Sequence, residues 1–358
     1  MNVLFITHAR LDRHAYGDGS TRYRCFNHAE VLQDNNHQAE VQSLTNLRAS
    51  DLGRYDIVSC LRPIYCQKLQ QVSDFCRAQG IHLIADFDDL LFDPTMAERS
   101  PKVLNSQASV AHVQNQFRKH ARSLPLFDEL TVSTPALASA ARKQCAHTRI
   151  TVLRNGLSAY WLQHAEQARG TLTGGVRLSY LPGNRSHDRD LRFIAPTLGR
   201  FLKAHPQAIL SLVGKVGLRG TALPREQLHL TPWVDYYSLP ELIAQSRVTL
   251  APLLDTPFNF AKSHIKFIES AALGVPALCS PTSDLLEHDI DGLTIIKYES
   301  DWEHALNCTV DPDYRAACGD ALINYATQHC TAQAQYATVL KHWDSSEYWN
   351  RNRSAMSA

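Results

Sequence analysis

Short apolar segments alternate with helical patterns along most of this 358-residue chain, and this alternation restricts its fold more than any other feature. Val3–Thr7 is a continuous apolar run, which is typical of a central strand that is buried on both faces of a parallel sheet. Comparable segments follow in the first half: Ala39–Leu44, Tyr55–Cys60, His82–Asp86, Leu130–Pro135 and Ile150–Gly156. Strands that take turns with helices form parallel sheets covered by helices on both faces, so the sequence predicts an α/β fold.

The alternation begins again after residue 175, which predicts a second domain. The apolar segments of this half are Val176–Leu181, Ala208–Gly214, Val248–Leu253, Val275–Cys279 and Gly292–Ile296. A chain of this length is long for one hydrophobic core. We therefore expect domains over residues 1–156 and 176–330, joined by a linker over residues 157–175, with a helix over residues 331–343.

The composition excludes several classes of protein. Hydrophobic residues make up 44% and charged residues 20%, which is ordinary for a soluble globular protein. The net charge of +1 and the dispersed basic residues give no reason to expect a nucleic-acid partner. No apolar run approaches the ~20 residues that span a bilayer, and the first residues lack the features of a signal peptide. Nine scattered cysteines without a Cys-x-x-Cys pair, and histidines without zinc spacing, predict reduced thiols, a cytoplasmic protein and no metal site.

The segment Ala261–Gly292 has the strongest functional pattern. Lys262, Lys266 and Glu269 recur at helical spacing on a segment with an apolar face, and Gly274 is suited to end that helix in a left-handed conformation. A helix start that carries two lysines suits an anion, because its free N–H groups and its dipole already favour negative charge. A carboxylate one to two turns further along suits two vicinal hydroxyls. The pattern indicates a nucleotide diphosphate; the alternative is a surface helix with solvated charges.

Two loops at predicted strand ends also suit a phosphate. In the first half, Gly17 and Gly19 let the backbone approach a ligand closely, unless this is only a flexible loop. In the second half, Gly183 allows a tight turn, and Arg185 and His187 place cationic or protonatable groups at the strand end. The alternative for the second loop is a capped helix start with solvated charges.

Three carboxylates end the strand His82–Asp86. If Asp86, Asp88 and Asp89 are buried together, their repulsion raises the pKa of at least one of them. The alternative is that Asp88 or Asp89 caps a helix. The polar, weakly patterned residues 94–116 are predicted to form a mobile loop on the acceptor side.

The segment KSHIKFIESAALGVPALCS resembles the donor site of GT-B glycosyltransferases, and within them the family 4-like enzymes (glycosyltransferase group 1) of bacterial polysaccharide synthesis. These enzymes have K-S-x-x-K-x-x-E, a helix of small residues and G-x-P. The V-S-T-P, V-x-x-N-G and G-x-x-x-H-x-x-D elements resemble the same group. This resemblance implies two Rossmann-like, doubly wound parallel-sheet domains that face an interdomain cleft, with residues 331–358 crossing back to the N-terminal domain. The Asp-Phe-Asp run also fits the metal-binding motif of the GT-A fold, but nothing else in the chain resembles that fold.

The resemblance also implies site residues. Donor binding would involve Gly17, Gly19, Gly183, Arg185, Lys262, Ser263, Lys266 and Glu269. Arg185 and the two lysines would hold the diphosphate and Glu269 the ribose, while Asp88, Asp89 and His187 are the catalytic candidates. Asp88 or Asp89 would be the base if the enzyme inverts. Many relatives have another glutamate eight positions before the ribose-binding one; Ala261 stands there, which puts that sugar contact in doubt.

The resulting functional prediction is a glycosyltransferase in capsule, lipopolysaccharide or O-antigen synthesis. It would move a sugar from a nucleotide-diphosphate donor to a glycan or lipid-linked glycan, with retention, without a metal or other cofactor. We expect it in the cytoplasm, where it would act at the inner face of the membrane. The alternatives are a sugar-nucleotide epimerase of the same fold, or a non-catalytic partner protein that keeps the fold.

Overall fold

The computed structural model describes residues 1–9, 18–145, 148–170 and 175–343, without the side chains of Ala49 and residues 338–342. The chain divides into two compact units. Among the described residues, the first unit contains those of 1–97, 111–158 and 331–343, and the second contains those of 98–110 and 159–330.

The first unit is a six-stranded parallel sheet with helices between its strands. The strands are β1 (Asn2–Thr7), β2 (Gln38–Ser43), β3 (Ile57–Leu61), β4 (His82–Phe87), β5 (Glu129–Val132) and β6 (Arg149–Val152). Its α-helices of eight or more residues are α1 (Asn27–Asp34), α2 (Gln67–Gln79), α4 (Val110–Ser123), α5 (Pro135–Gln144) and α13 (Ala332–Trp343). A short turn, Gly19–Thr21, and a five-residue π-helix, Arg22–Phe26, lead into α1.

The second unit is also a six-stranded parallel sheet. Its strands are β7 (Arg177–Gly183), β8 (Ile209–Gly214), β9 (Leu228–Thr231), β10 (Val248–Ala251), β11 (Ala277–Cys279) and β12 (Leu293–Ile295). Its helices are α3 (Pro101–Leu104), α6 (Ala159–Ala168), α7 (Asp188–Ala204), α8 (Leu239–Ala244), α9 (Pro257–Phe260), α10 (Ile265–Ala271), α11 (Glu299–Cys308) and α12 (Ala316–His329).

The strand orders determine where each sheet can bind a ligand. They are β2-β1-β3-β4-β5-β6 in the first unit and β12-β11-β10-β7-β8-β9 in the second. The order reverses between β1 and β3 in one sheet and between β7 and β10 in the other. Open α/β sheets bind ligands beyond the carboxyl ends of the strands at such a reversal, here called a switch point. The predicted α/β class with two doubly wound sheets is confirmed.

The core of the first unit explains why α13 packs against it. Val3 and Phe5 of β1 share a buried cluster with Ala332, Tyr336 and Trp343 of α13. A side chain at Gly156 would overlap the backbone of Ala332, so only glycine allows the strand-end segment to lie this close to α13.

The core of the second unit depends on the longest helix of the chain. Leu191, Ile194, Leu198 and Leu202 follow one another at helical spacing along α7 and are buried against the sheet. Trp302 of α11 belongs to the same cluster. At the start of α7, two acidic residues lie at its positive end, which stabilises the helix start.

Three segments differ from the prediction. Residues 94–116 are not one irregular loop, because a 3-10 turn, α3 and the first half of α4 occupy them. The predicted linker contains α6, whose Trp161 is fully buried. The helix α11 was not predicted at all. Residues 94–116 and α11 are mostly polar, and α6 buries only Trp161 and two alanines, so all three segments give a weak periodic signal.

Among the helices that the structure describes, none is both long enough and apolar enough to cross a bilayer.

Candidate functional site

At the switch point of the first unit, an arginine holds two of the predicted carboxylates. Arg62 directly follows β3, and its Nε and Nη2 atoms donate to Asp88 (2.5 Å) and Asp89 (2.7 Å). Its backbone is in the left-handed region at φ 47°, a conformation that costs energy for an arginine and is often found at functional sites. Its N–H donates to the carbonyl of Asp86 at 2.7 Å, which ties the end of β3 to β4.

This arrangement contradicts the predicted rise in a carboxylate pKa. Burial by itself would raise the pKa of Asp88, but the charge and hydrogen bond of Arg62, with the charge of Arg24 and a hydrogen bond from Ser20, lower it below its ordinary value. Helix capping by Asp88 or Asp89 is also wrong, since the next helical turn begins only at Pro94. These carboxylates are compensated anions rather than a repelling cluster.

A second arginine pairs with the third carboxylate in the interior. Arg24, from the π-helix, is almost fully buried and donates to both oxygens of Asp86, at 2.8 and 2.6 Å. It also donates to the carbonyl of Leu153 and to the side chain of Asn155. One guanidinium thus connects the π-helix to the ends of β4 and β6.

The glycine loop of the first unit is described only from Asp18 onward. Gly17 lies outside the described residues. Gly19 is exposed, and a Cβ added there would meet no atom within 4 Å, so packing does not require glycine at this position. Asp18 accepts from the N–H of Thr21 at 2.8 Å, and the hydroxyl of Thr21 lies 2.9 Å from that of Thr7 at the end of β1.

At the switch point of the second unit, the loop after β7 presents its basic groups outward. Gly183 has φ 74°, and Asn184 then caps a 3-10 turn over Arg185–His187 by accepting from the N–H of Ser186. The predicted capped helix start therefore exists here. The Arg185 side chain is 65% exposed, and its Nε donates to Asp188 Oδ2 at 3.0 Å.

Two buried carboxylates fix this loop from below. Asp190 Oδ2 lies 2.8 Å from Nδ1 of His187, and its Oδ1 accepts from the N–H of Leu254, which follows β10, at 2.9 Å. One side chain therefore links the ends of both switch-point strands. Asp188 accepts from the N–H of Gly217 at 2.8 Å, and a Cβ on Gly217 would overlap the Asp188 carboxylate.

The predicted donor helix is shorter than expected. It begins at Ile265 rather than near Lys262, so Lys262 and Ser263 lie in the connection between α9 and α10. Gly274 has φ 63°, as predicted for the residue that follows the helix. Glu269 is buried, and Lys266 Nζ donates to its Oε2 at 3.0 Å while the lysine side chain stays 45% exposed.

Asn259 connects the loop after β7 to the segment between α9 and α10, and no sequence motif indicated this residue. Its Nδ2 donates to the carbonyl of Leu254 at 3.0 Å and lies 3.5 Å from Asp190 Oδ1, and its own carbonyl accepts from the N–H of Lys262. Within the described part of the chain its buried Oδ1 has no hydrogen-bond partner. The loops that carry Arg185, His187 and Lys262 are therefore parts of one bonded network.

Comparison with known proteins agrees with this geometry. Residues 196–345 match the family model described as Glycosyl transferase-like. Over this segment the chain is similar to glycosyl transferase-like proteins. The match covers most of the second unit, including α10, and the prediction of a glycosyltransferase is confirmed at this level. No curated protein matches the sequence.

Solved structures show that the chain has the GT-B fold. A sucrose-phosphate synthase from Thermosynechococcus elongatus superposes with a TM-score of 0.67 at 11% identity, over 99% of this chain and 100% of that one. A glycosyltransferase from Rickettsia africae gives 0.62 at 9% identity, over 96% and 97%. The pneumococcal O-GlcNAc transferase GtfA, in complex with UDP and GlcNAc, gives 0.55 at 12% identity, over 82% of this chain but only 58% of that one. At these identities the likeness shows the fold alone.

Proposed function

We propose that this protein transfers a sugar from a nucleotide-diphosphate sugar to a glycan or lipid-linked glycan in bacterial surface polysaccharide synthesis. The observation that carries the proposal is the pattern of exposure at the second switch point. There, Arg185 and Lys266 are accessible cations, whereas the carboxylates that hold them, Asp188 and Glu269, are buried. Such a surface suits an anionic ligand at the place where α/β sheets bind ligands.

The proposed chemistry is electrostatic stabilisation of the leaving group. When the bond between the sugar and the diphosphate breaks, negative charge develops on the diphosphate oxygens. Arg185, Lys262 and Lys266 would stabilise that charge, and groups fixed in advance do so without reorganisation. Asp188 holds the guanidinium of Arg185 through its Nε, and the carbonyl of Asn259 holds the backbone N–H of Lys262. Three cations supply enough positive charge that the proposal needs no metal ion.

His187 has a defined orientation for contact with the donor. Its Nδ1 faces Asp190, so a carboxylate keeps the proton on Nδ1 and leaves Nε2 as the nitrogen that can bind a ligand. A neutral Nε2 accepts a hydrogen bond from a sugar hydroxyl, and a protonated one donates to a phosphate oxygen. We propose that His187 contacts the donor at one of these two groups.

The first switch point bears on the stereochemistry. An inverting enzyme needs a base opposite the leaving group, and Asp88 or Asp89 was the candidate. Arg62 pairs with both, and the lowered pKa of Asp88 makes it a poorer base. This favours retention, for which no such base is required. We propose that Asp88, Asp89 and Arg62 lie on the acceptor side.

The proposed ribose site rests on Glu269. Its Oε2 is bonded to Lys266, and a carboxylate has capacity for further donors. Vicinal ribose hydroxyls would donate to this group. Because the lysine already orients this carboxylate, ribose binding requires little rearrangement.

The main alternative is a non-catalytic protein with the same fold. Many of the family 4-like enzymes that this sequence resembles have a sugar-contacting glutamate at the position of Ala261, which is buried here at 2% exposure. An epimerase would need free acid and base carboxylates in the second unit, whereas Asp188, Asp190 and Glu269 all have internal partners. The enzyme would act in the cytoplasm, at the membrane face that displays lipid-linked acceptors.

A thermal-shift screen tests the proposal. The protein is melted with UDP, GDP, CMP, ADP and their common sugar derivatives, each with and without EDTA. We expect one nucleotide to raise the melting temperature with or without EDTA, and slow donor hydrolysis in the absence of acceptor. Binding without hydrolysis or transfer would favour the non-catalytic alternative, and no shift with any donor would contradict the proposal.

Substitution of the ribose carboxylate gives a second test of the same site. Glu269→Ala should raise the Kd of the nucleotide about tenfold or more, because bonds to a charged group contribute about 1.5–3 kcal/mol. The matched control is Glu303→Ala, which removes a half-exposed glutamate that pairs with Arg200 on the surface. Unchanged affinity in Glu269→Ala would exclude this carboxylate from the donor site.

A further inference from the structure

The segment Glu98–Val110 belongs to the second unit, although the chain on both sides of it belongs to the first. It starts with Ser100, whose side chain caps α3 by accepting from the N–H of Val103. The helix ends at Asn105, and Ser106 then adopts a left-handed conformation at φ 55°. This non-glycine residue in a strained region turns the chain sharply, directly after Asn105.

The side-chain amide of Asn105 bonds to the loop that carries the predicted phosphate groups. Its Nδ2 donates to the carbonyl of Ser186 at 2.5 Å, and its Oδ1 accepts from the N–H of Arg189 at 2.9 Å. The second hydrogen on Nδ2 is directed to the carbonyl of Pro101 at 2.9 Å, within its own helix. Both amide hydrogens and one acceptor position are therefore used, and the orientation of the amide group follows from these bonds.

The two loop partners of Asn105 lie on either side of His187. The carbonyl of Ser186 precedes the histidine, and the N–H of Arg189 follows it by two residues. Asp188 and Asp190 hold the same stretch from the interior through Gly217 and Leu254. The turn is thus fixed from two sides, by buried carboxylates below and by Asn105 outside.

Without the two bonds from Asn105, the loop would still be held by the side chains of Asp188 and Asp190. The backbone that precedes these two residues would lose its restraint. Arg185 depends on that backbone, because its guanidinium is 65% exposed and is held by a bond from its Nε to Asp188, three residues along the chain. A binding group that must be re-ordered by its ligand binds more weakly, since the ligand then offsets the lost conformational freedom.

We propose that Asn105 is a positioning residue for the donor diphosphate. It keeps the Arg185–His187 turn in its binding conformation through two hydrogen bonds to the loop backbone. This inference rests on the proposed function of that turn. The structure assigns the role to a residue from the connection between β4 and α4, far in sequence from every donor motif.

The test compares two substitutions that separate hydrogen bonding from shape. Asn105→Ala removes the amide and should raise the Kd of UDP about tenfold, which corresponds to about 1.4 kcal/mol of binding free energy. Asn105→Asp keeps the shape but turns a donor into an anion that faces the carbonyls of Ser186 and Pro101. It should weaken UDP binding at least as much. A residue that only filled space would give the reverse order, with the aspartate variant close to wild type.

The control is Gln107→Ala, an exposed residue of the same segment, which should bind UDP like wild type. Hydrogen exchange on the full-length protein supplies an independent readout. The amides of residues 186–189 should exchange faster in both Asn105 variants, while those in the middle of α7 should not change. A structural role confined to α3 would not accelerate exchange in the loop.

The outcomes separate this proposal from the one on which it rests. If wild type binds UDP and both Asn105 variants bind it equally well, the positioning role is overturned and the donor site stands. If wild type binds none of UDP, GDP, CMP and ADP in the same titration, the proposed function fails and the positioning role fails with it. Weaker binding in both variants, with faster exchange in the loop, supports both.

Discussion

The two switch points use charge in opposite ways. In the first unit, the buried Arg24 and the 29%-exposed Arg62 each pair with carboxylates, and the buried Arg24–Asp86 pair joins several strand ends. In the second unit, Asp188 and Asp190 are buried while Arg185 remains 65% exposed. Similar residue types at equivalent places in two similar sheets therefore have different tasks.

This difference teaches that exposure, not composition, separates a binding site from a structural ion pair. A cation whose partner is buried and whose own head reaches solvent can bind an anion without breaking its internal bond. A buried cation cannot bind an external anion in this way. It would first have to separate from its internal partner, which leaves an uncompensated buried charge. We therefore propose that the nucleotide binds to the second unit.

The largest expected effect follows from the buried pair. Arg24→Ala should reduce the free energy of unfolding by about 3–5 kcal/mol, because it leaves the Asp86 carboxylate buried without its cation. Urea denaturation measures this value. Arg185→Ala should change stability by less than about 0.5 kcal/mol, as for most exposed residues.

A double variant shows whether the loss of unfolding free energy comes from the Arg24–Asp86 ion pair. Asp86→Asn also leaves a buried charge uncompensated, so Arg24→Met combined with Asp86→Asn should cost clearly less than the two single changes together. Additive losses, or a cost of Arg24→Ala as small as that of Arg185→Ala, would contradict the contrast between the two switch points.

A smaller effect concerns acid sensitivity, which we place in the first unit. The ring of His28 is fully buried against Tyr336, and burial, with the charge of Arg24, lowers its pKa well below 6.5. The unfolded chain then binds a proton that the folded chain does not. The contribution of neutral His28 to the free energy of unfolding is therefore fully present above about pH 6.5. As the pH decreases below 6.5, this free energy decreases by up to about 1.4 kcal/mol per pH unit.

The measurement is the unfolding free energy of wild type and His28→Phe between pH 5 and pH 8. Phenylalanine keeps the ring contact without a titrating group, so the slope below pH 6.5 should become smaller. His164→Phe, which changes a partly exposed histidine of the second unit, serves as the control and should keep the wild-type slope. Equal slopes in all three proteins would show that His28 is not the source.

The strands could be predicted from sequence because each is a short apolar run that is buried in a parallel sheet. The helix α4 could not be recognised as easily, since Val113, Phe117 and His120 are its main buried residues within a polar stretch. Their spacing of four and three is helical, so a signal existed, but a buried histidine is easily taken for a surface residue. Helix α6 was missed for a similar reason.

The site shows the limit of sequence reasoning more clearly. Carboxylates after β4 were evident, but Arg62 lies 26 residues earlier, and only the adjacency of β3 and β4 brings them together. Without that contact, repulsion was the natural expectation, and the predicted pKa shift had the wrong sign. Asn105 and Asn259 likewise belong to no motif, because their roles arise from tertiary contacts.

The most direct test of the central claim is a calorimetric titration of the nucleotide that stabilises wild type into Arg185→Ala and Arg62→Ala. Each protein is first checked for a cooperative melt, with Arg62→Lys in reserve if the alanine variant does not fold. We predict that Arg185→Ala raises the Kd at least tenfold, as expected for a lost charged bond, while substitution of Arg62 changes it less than twofold. The opposite result, with full affinity in Arg185→Ala and loss in the Arg62 variant, would place the nucleotide in the first unit and contradict this account.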